Sequence, residues 1–207
     1  MEKTTPASLD HPVLETIRQR HSVRVFTDQP VPDALLLAVL QAANLAPSAH
    51  NQQAWRFLVV RGGRKHELSE LVTARSEAFP RPSSVLLRLA ARSIVSAPVV
   101  VAVANTGELI RHGTELFKVE KTMAHDFFRT MEIQSSAAAV ENLLVAATSL
   151  GLASVWLGIL FLIKDDVLRL LGEREGEFMA VIPLGYAAKP GKGPSKRPLE
   201  ATVRYLD

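Results

Sequence analysis

Residues 46–60 read APSAHNQQAWRFLVV, a short polar segment followed by a run of aromatic and β-branched residues. Pro47 cannot continue a helix, so the helical pattern that precedes it ends there. The run from residue 55 to 60 predicts a strand that ends at Gly62-Gly63. Between them, a rigid helix-to-strand corner carries the polar residues Ser48, Asn51, Gln52 and Gln53. Ordinary capping and turn chemistry explains the same residues and stays open as an alternative.

Upstream of the corner, residues 20–26 read RHSVRVF. Two arginines, a histidine and a serine fall within five positions, directly after a helix predicted to open at Asp10 and Pro12, with Val13, Leu14 and Ile17 on one face. This density of hydrogen-bond donors suits an anionic ligand. The polar end of a surface helix followed by a short edge strand is the alternative.

The rest of the chain shows no repeat and no linker, which indicates a single domain spanning residues 1–207. Strands and helices neither alternate strictly nor separate into halves, so the pattern favours the α+β class. Residues 76–96 give the weakest pattern. The predicted helices cover residues 31–48, 64–79, 125–150 and 164–172, and the further strands cover 97–106, 152–158 and 178–187.

Composition excludes several classes of site. The chain has no cysteine, which rules out disulfides, zinc-thiolate sites and a cysteine nucleophile. The net charge is +3, with lysine and arginine scattered, so a nucleic-acid binder is favoured only by the basic isoelectric point. The six histidines show no metal-ligand spacing, and no Rossmann or P-loop motif occurs.

The N-terminus has no secretion signal, so a cytoplasmic location is expected. Residues 142–163 are uncharged and long enough to span a bilayer. Gly151 and the interrupting hydroxyl residues instead predict a buried helix followed by a buried strand, with no membrane partner.

Two segments in order, IRQRHSVRVFTDQPV (residues 17–31) and LLLAVLQAANLAPSAHNQQAWRFLVV (residues 35–60), resemble the opening of the nitroreductase family of FMN-dependent NAD(P)H oxidoreductases. Later segments agree, including residues 143–158, VIPLGYA at 181–187 and KRPLE at 196–200. Residues 76–130 match loosely. The resemblance implies an α+β fold with a mixed, largely antiparallel sheet covered by helices, and a homodimer with FMN at the subunit interface.

The resemblance also implies roles for the donor cluster. Arg20 and Ser22 would bind the FMN phosphate and ribityl chain, with His21 in support. Arginine suits this task because it grips phosphate oxygens in a bidentate way. Arg24 would face the N1/O2 edge of the flavin, where a fixed positive charge stabilises the reduced anion.

Other residues match the family by position. Pro47, Ser48, Ala49 and Asn51 would lie against the flavin ring of the other subunit; Ala49 stands where a serine is common, and Ala54 where a proline is usual. The Leu157–Gly158 loop would bring a backbone amide to flavin N5. The resemblance assigns the remaining phosphate and flavin contacts to Lys196, Arg197 and Arg92.

The implied activity is electron transfer from NADH or NADPH, through the flavin, to an electron-poor acceptor such as a nitroaromatic or a quinone. No side chain is expected to act as a catalytic acid or base, and no metal is expected. Residues 105–135 are expected to cover the open flavin face. Two alternatives stay open: other flavin chemistry on the same fold (dehalogenation, flavin cleavage, heterocycle oxidation), or a non-catalytic flavin-binding dimer.

Overall fold

A computed structural model describes residues 10–117, 119–173 and 175–206. It contains seven α-helices and four strands in these residues. The helices are α1 (Pro12–Gln19), α2 (Asp33–Asn44), α3 (Gly62–Ser76), α4 (Ser83–Ser96), α5 (Glu108–Leu116), α6 (Lys121–Ser149) and α7 (Lys164–Leu171). The strands are β1 (Trp55–Val60), β2 (Val99–Asn105), β3 (Ala153–Ser154) and β4 (Glu177–Gly185). Short 3₁₀ helices span Ala49–Asn51, Gly158–Ile163 and Leu199–Ala201.

The sheet has the order β1-β2-β4-β3, and each neighbouring pair is antiparallel. Every residue of β2 is buried, in keeping with its valine- and alanine-rich sequence. Val99, Val101 and Val103 face one side of the sheet, while Val100 and Ala102 face the other. This alternation gives the domain two cores, one on each face of the sheet.

Helices cover both faces. On one face, α3, α4, α7 and the 3₁₀ helix Gly158–Ile163 pack over β2 and β4. On the other, α2 and α6 pack together, and Ala43, Ala139 and Ala147 are fully buried there. Small side chains let these two helices approach closely, in keeping with the alanine-rich pattern of α6. The architecture is the helix-covered, largely antiparallel α+β fold that the sequence predicts.

The segment after α1 extends the sheet. Ser22 forms a parallel bridge with Ser154, and Phe26 forms an antiparallel bridge with Ala187. The four strands pair only in antiparallel fashion, and the parallel bridge between Ser22 and Ser154 is what makes the sheet mixed. The donor cluster at residues 20–24 therefore lies at the sheet edge beside β3.

Three local predictions were wrong. The segment 152–158 forms only the two-residue strand β3, since the chain turns into a 3₁₀ helix at Gly158. Gly62 does not end a strand; it has a φ of +54° and begins α3. Helix α1 is capped by His11 rather than Asp10.

The apolar face of α1 remains exposed, with Val13 at 53% and Ile17 at 50%. No helix in the described part of the chain is long and apolar enough to cross a membrane.

Candidate cofactor site

The donor cluster is held by its main chain. Val23 N–H donates to Ser154 O (3.0 Å), Thr27 N–H donates to Tyr186 O (2.9 Å), and Ala188 N–H donates to Val25 O (3.1 Å). These bonds fix the backbone on both sides of Arg24 without using any side chain of the cluster. The side chains of Ser22 and Arg24 are therefore available to a ligand, whereas His21 Nδ1 lies 2.9 Å from Gln19 O.

The cluster borders a cavity of about 980 Å³, which lies between α1, the end of α6 and the tail that follows β4. Its volume is near the upper end of the range for small-molecule sites, about 300–1,000 Å³. Its lining includes the basic side chains Arg18, Arg20, Arg24, Lys192 and Lys196, together with His21 and Ser22. The cavity therefore has a strongly positive wall.

Few of these positive charges are neutralised by the protein. Arg18 pairs with Glu15 (3.3 Å), the only acidic residue among the described lining residues. Arg20 Nε lies 3.8 Å from Glu141 Oε1, a long contact with a half-exposed partner. Within the described residues, Arg24, Lys192 and Lys196 have no hydrogen-bond or ion-pair partner. An anion with several oxygen acceptors, such as a phosphate ester, would satisfy these groups.

The loop 190–194 closes against the cluster. A Cβ added to Gly193 would lie 2.9 Å from the Cβ of His21, and one added to Gly191 would lie 3.6 Å from His21 Nε2. Glycine at residue 193 thus lets the tail pass close to His21. This approach brings Lys192 and Lys196 to the cavity wall.

A second, smaller cavity of about 170 Å³ adjoins the first at Arg24, which lines both. Most of its other lining is apolar, from α4 and from residues 155–159. Leu157 N–H already donates to Val181 O (2.9 Å). Gly158 begins a 3₁₀ helix, a position whose amide has no acceptor within the helix. The large cavity thus has a basic lining and the small one a mostly apolar lining, and Arg24 belongs to both.

The corner at residues 47–53 does not line either cavity. His50, Asn51 and Gln53 all have φ near +52°, a conformation that costs free energy for residues other than glycine. Ser48 Oγ accepts from Gln53 N–H (3.0 Å), and Ala49 N–H donates to Ser135 Oγ (3.1 Å). Side chains at 50, 51 and 53 remain exposed. The corner is thus a strained, outward-facing surface.

The predicted residues therefore separate into three groups. Arg20, His21, Ser22, Arg24 and Lys196 come together at the large cavity, and Leu157 and Gly158 line the small one. Pro47, Ser48, Ala49 and Asn51 form the separate corner. Arg92 is exposed on α4, and Arg197 is exposed in the tail, and neither lines these cavities.

Sequence reasoning missed two residues near these features. Lys192 lies in a proline- and glycine-rich tail that reads as an irregular loop, and only the contact with His21 reveals its place. Glu132 is fully buried on α6, although both polar and apolar residues surround it in the sequence. Its spacing from Phe128, Ser136 and Val140 would have placed a carboxylate on the buried stripe. No cluster of three metal-ligating side chains occurs within the described ranges.

Known proteins are similar to this chain in both sequence and structure. A family model described as the nitroreductase family matches residues 17–186. A Methanothermobacter thermautotrophicus protein, provisionally named NADH dehydrogenase/NAD(P)H nitroreductase, is 32% identical over 191 residues, 90% of this chain and 82% of that protein. A Thermus thermophilus NADH dehydrogenase is 31% identical over 199 residues, 90% of this chain and 92% of its own length.

A solved structure is also similar. It is the structure of a provisionally assigned nitroreductase from Desulfovibrio desulfuricans in complex with FMN. The two chains share 29% identity and superpose with a TM-score of 0.73, over 96% of this chain and 98% of the other. The likeness thus extends over nearly the full length of both chains.

Proposed function

The chain belongs to the nitroreductase family, and from this premise we propose that it is an FMN-dependent oxidoreductase that takes electrons from NADH or NADPH. The acceptor is an electron-poor small molecule, such as a nitroaromatic or a quinone. One observation carries the proposal: the basic wall of the large cavity, on which Arg24, Lys192 and Lys196 have no partner among the described residues, continues through Arg24 into a mostly apolar pocket.

In this proposal Arg20, Ser22 and Lys196 hold the phosphate and ribityl chain, with His21 beside them. Lys192 adds a further positive charge at the cavity wall. Arg197, next to Lys196 in the exposed tail, and Arg92 on α4 remain predicted contacts. A phosphate dianion would be favoured here because it meets several donors, and Lys192 and Lys196 have no competing acceptor among the described residues.

Bound FMN would supply the hydride chemistry. The protein's part is electrostatic and geometric. Arg24 places a fixed positive charge where the two cavities meet, and that charge favours an anionic reduced ring. The Gly158 amide provides a donor beside the same pocket. No side-chain acid or base is needed for this role.

The proposal includes a homodimer in which the corner of one subunit meets the flavin held by the other. Exposed apolar groups support this arrangement. Val13 and Ile17 of α1 are half-exposed, and Tyr205 and Leu206 in the tail are 82% and 80% exposed. Such surfaces are typical of protein interfaces. The strain at residues 50–53 also suits a segment that is held against a partner or a ligand.

The absorption spectrum of the purified protein tests the proposal. A flavin spectrum that bleaches on addition of NADPH or NADH under anaerobic conditions, and recovers on addition of benzoquinone or a nitroaromatic, is expected. A protein that binds no FMN contradicts the proposal, and one that binds FMN but is bleached by neither nucleotide is a non-catalytic flavin-binding protein.

A further inference from the structure

A buried polar row lies along α6. Glu132 is 0% exposed, Ser135 is 8% exposed and Ser136 is 1% exposed. These residues are three and four positions apart, so they share one face of the helix. A fully buried carboxylate is costly unless it is hydrogen-bonded, which indicates that this row has a specific task.

Each member of the row binds a different segment. Glu132 Oε1 accepts from Leu109 N–H (2.8 Å) at the start of α5, Ser135 Oγ accepts from Ala49 N–H (3.1 Å) in the corner, and Ser136 Oγ donates to Asn105 Oδ1 (2.5 Å) at the end of β2. One helix face therefore holds three chain segments.

The Glu132 carboxylate lies at the first turn of α5, where Leu109 N–H donates to it. It faces backbone amides of Gly107, Leu109 and Ile110, which are the first-turn groups that a helix leaves unsatisfied. Within the described residues, Glu132 Oε2 and Asn105 Nδ2 are both buried without a partner, one an acceptor and the other a donor. The carboxylate is thus the centre of a polar cluster under α5.

This cluster supports the corner. Leu109 and Phe128 form a small apolar core with Ala54, and Ala49 and Ile110 pack on it. Thr106 N–H also donates to Ala54 O (3.1 Å). The strained corner therefore packs against the start of α5. A shift of that turn would be transmitted to residues 49–54.

We propose that Glu132 is a positioning residue, which fixes the first turn of α5 so that the corner is presented in its strained, binding-competent conformation. The inference rests on the proposed function, in which the corner meets the flavin and its acceptor across the subunit interface. Glu132 touches neither, and it acts through Leu109, Ile110 and Ala49. Ser135 completes the support by holding Ala49 directly.

The test uses the FMN-loaded protein and compares E132Q and E132L with wild type. Glutamine keeps one acceptor for Leu109 N–H, whereas leucine keeps none. Amide hydrogen exchange at residues 107–110 and 49–54 is expected to quicken in the order wild type, E132Q, E132L. The rise should be about 10- to 100-fold, equivalent to losing a hydrogen bond to a charged group. Exchange in β2 should stay unchanged and serves as the internal measure of global stability.

Steady-state kinetics distinguish a positioning role of Glu132 from a general effect on stability. The Michaelis constant for benzoquinone is expected to rise about tenfold, while the rate of flavin bleaching at saturating NADPH stays within twofold of wild type. E70Q is the matched control, because Glu70 is an exposed carboxylate on α3 with no partner in the described residues. It should match wild type in both measurements.

S135A provides a second route if E132L does not fold. It removes the bond to Ala49 N–H and the intrahelical bond to Met131 O (2.7 Å), and it leaves the bond between Glu132 and Leu109 in place. The Michaelis constant should therefore rise while exchange at residues 107–110 does not. Unchanged exchange at 49–54 in E132Q, a uniform rise that includes β2, or an unaltered Michaelis constant in S135A would each overturn the proposal. Failure of the proposed function would differ, because wild type itself would then lack FMN or fail to bleach.

Discussion

Replacement of Arg20 by alanine should weaken FMN binding sharply. The side chain lines the large cavity and is only 21% exposed, so its charge is poorly screened by solvent. A hydrogen bond to a charged group contributes about 1.5–3 kcal/mol. Loss of this contact should therefore raise the dissociation constant of FMN by about 10- to 150-fold. Fluorescence titration of apo-protein with FMN measures this constant.

The nearby carboxylate provides a matched control. Glu141 lies 3.8 Å from Arg20 Nε and is 56% exposed, so their ion pair contributes at most about 1 kcal/mol. E141Q removes this competing acceptor and leaves Arg20 in place. FMN should then bind as in wild type or up to about fivefold more tightly.

The two variants together decide the role of Arg20. If Arg20 served only to pair with Glu141, R20A and E141Q would change FMN affinity alike. Opposite or clearly unequal effects are expected instead. An R20A dissociation constant within twofold of wild type would refute the assignment of Arg20 to the phosphate.

Four further outcomes are expected. Arg24→Leu should lower the flavin midpoint potential, because the reduced anion loses a fixed positive charge. Dye-linked titration measures the potential, with Arg64→Leu on the exposed start of α3 as the comparison. An unaltered potential in Arg24→Leu would count against the role of Arg24. Light scattering of FMN-loaded protein should give about twice the chain mass of 22.6 kDa, and a single-chain species that retains flavin would contradict the shared site. Burial raises the pKa of Glu132 above its ordinary value of 4.5. The contribution of Glu132 to stability is therefore present below pH 4.5 and is lost as the pH rises through the folded-state pKa. Calorimetry should show that wild type loses stability relative to E132Q over this pH range, and parallel stability curves for the two proteins would disprove the pKa shift. Gly113→Ala would place a Cβ 2.5 Å from the Phe128 ring and should lower the free energy of unfolding by about 1–3 kcal/mol, as measured by chemical denaturation. A second substitution, Phe128→Leu, should restore part of that loss. A Gly113→Ala variant as stable as wild type would show that the ring can move aside.

The sequence predicts most of this fold because its elements are locally consistent. The β-branched run at residues 99–105 and the helical periodicity of α2 each specify their own structure. The length of strand β3 was overestimated because its local sequence does not determine where it ends. Residues 155 and 157 look like strand residues and are buried, but packing of residues 158–163 beneath α4 bends the chain. Tertiary contacts, which no local pattern contains, decide that boundary.

The site was predictable in part. Dense donors at residues 20–24 marked one wall of the cavity, but the stretch alone fits a surface helix end equally, and the resemblance of the later segments favoured a ligand. The approach of residue 193 to His21, and the pairing of Ser22 with Ser154, join positions more than a hundred residues apart. Lys192 therefore could not be recognised from its neighbours. Glu132 could have been, because a carboxylate falls on an otherwise buried helical stripe.

The backbone bonds of residues 23–27 and 188 have a consequence for how the protein can change. Val23, Val25 and Thr27 hydrogen-bond this segment to the sheet edge through main-chain atoms, and the side chains of Val23 and Phe26 pack on the core beside it. Side chains at positions 20, 22 and 24 therefore carry little of the folding free energy. A library randomised at these three positions should yield mostly folded chains, and, if the proposed FMN site is right, chains that differ in the phosphorylated ligand they accept.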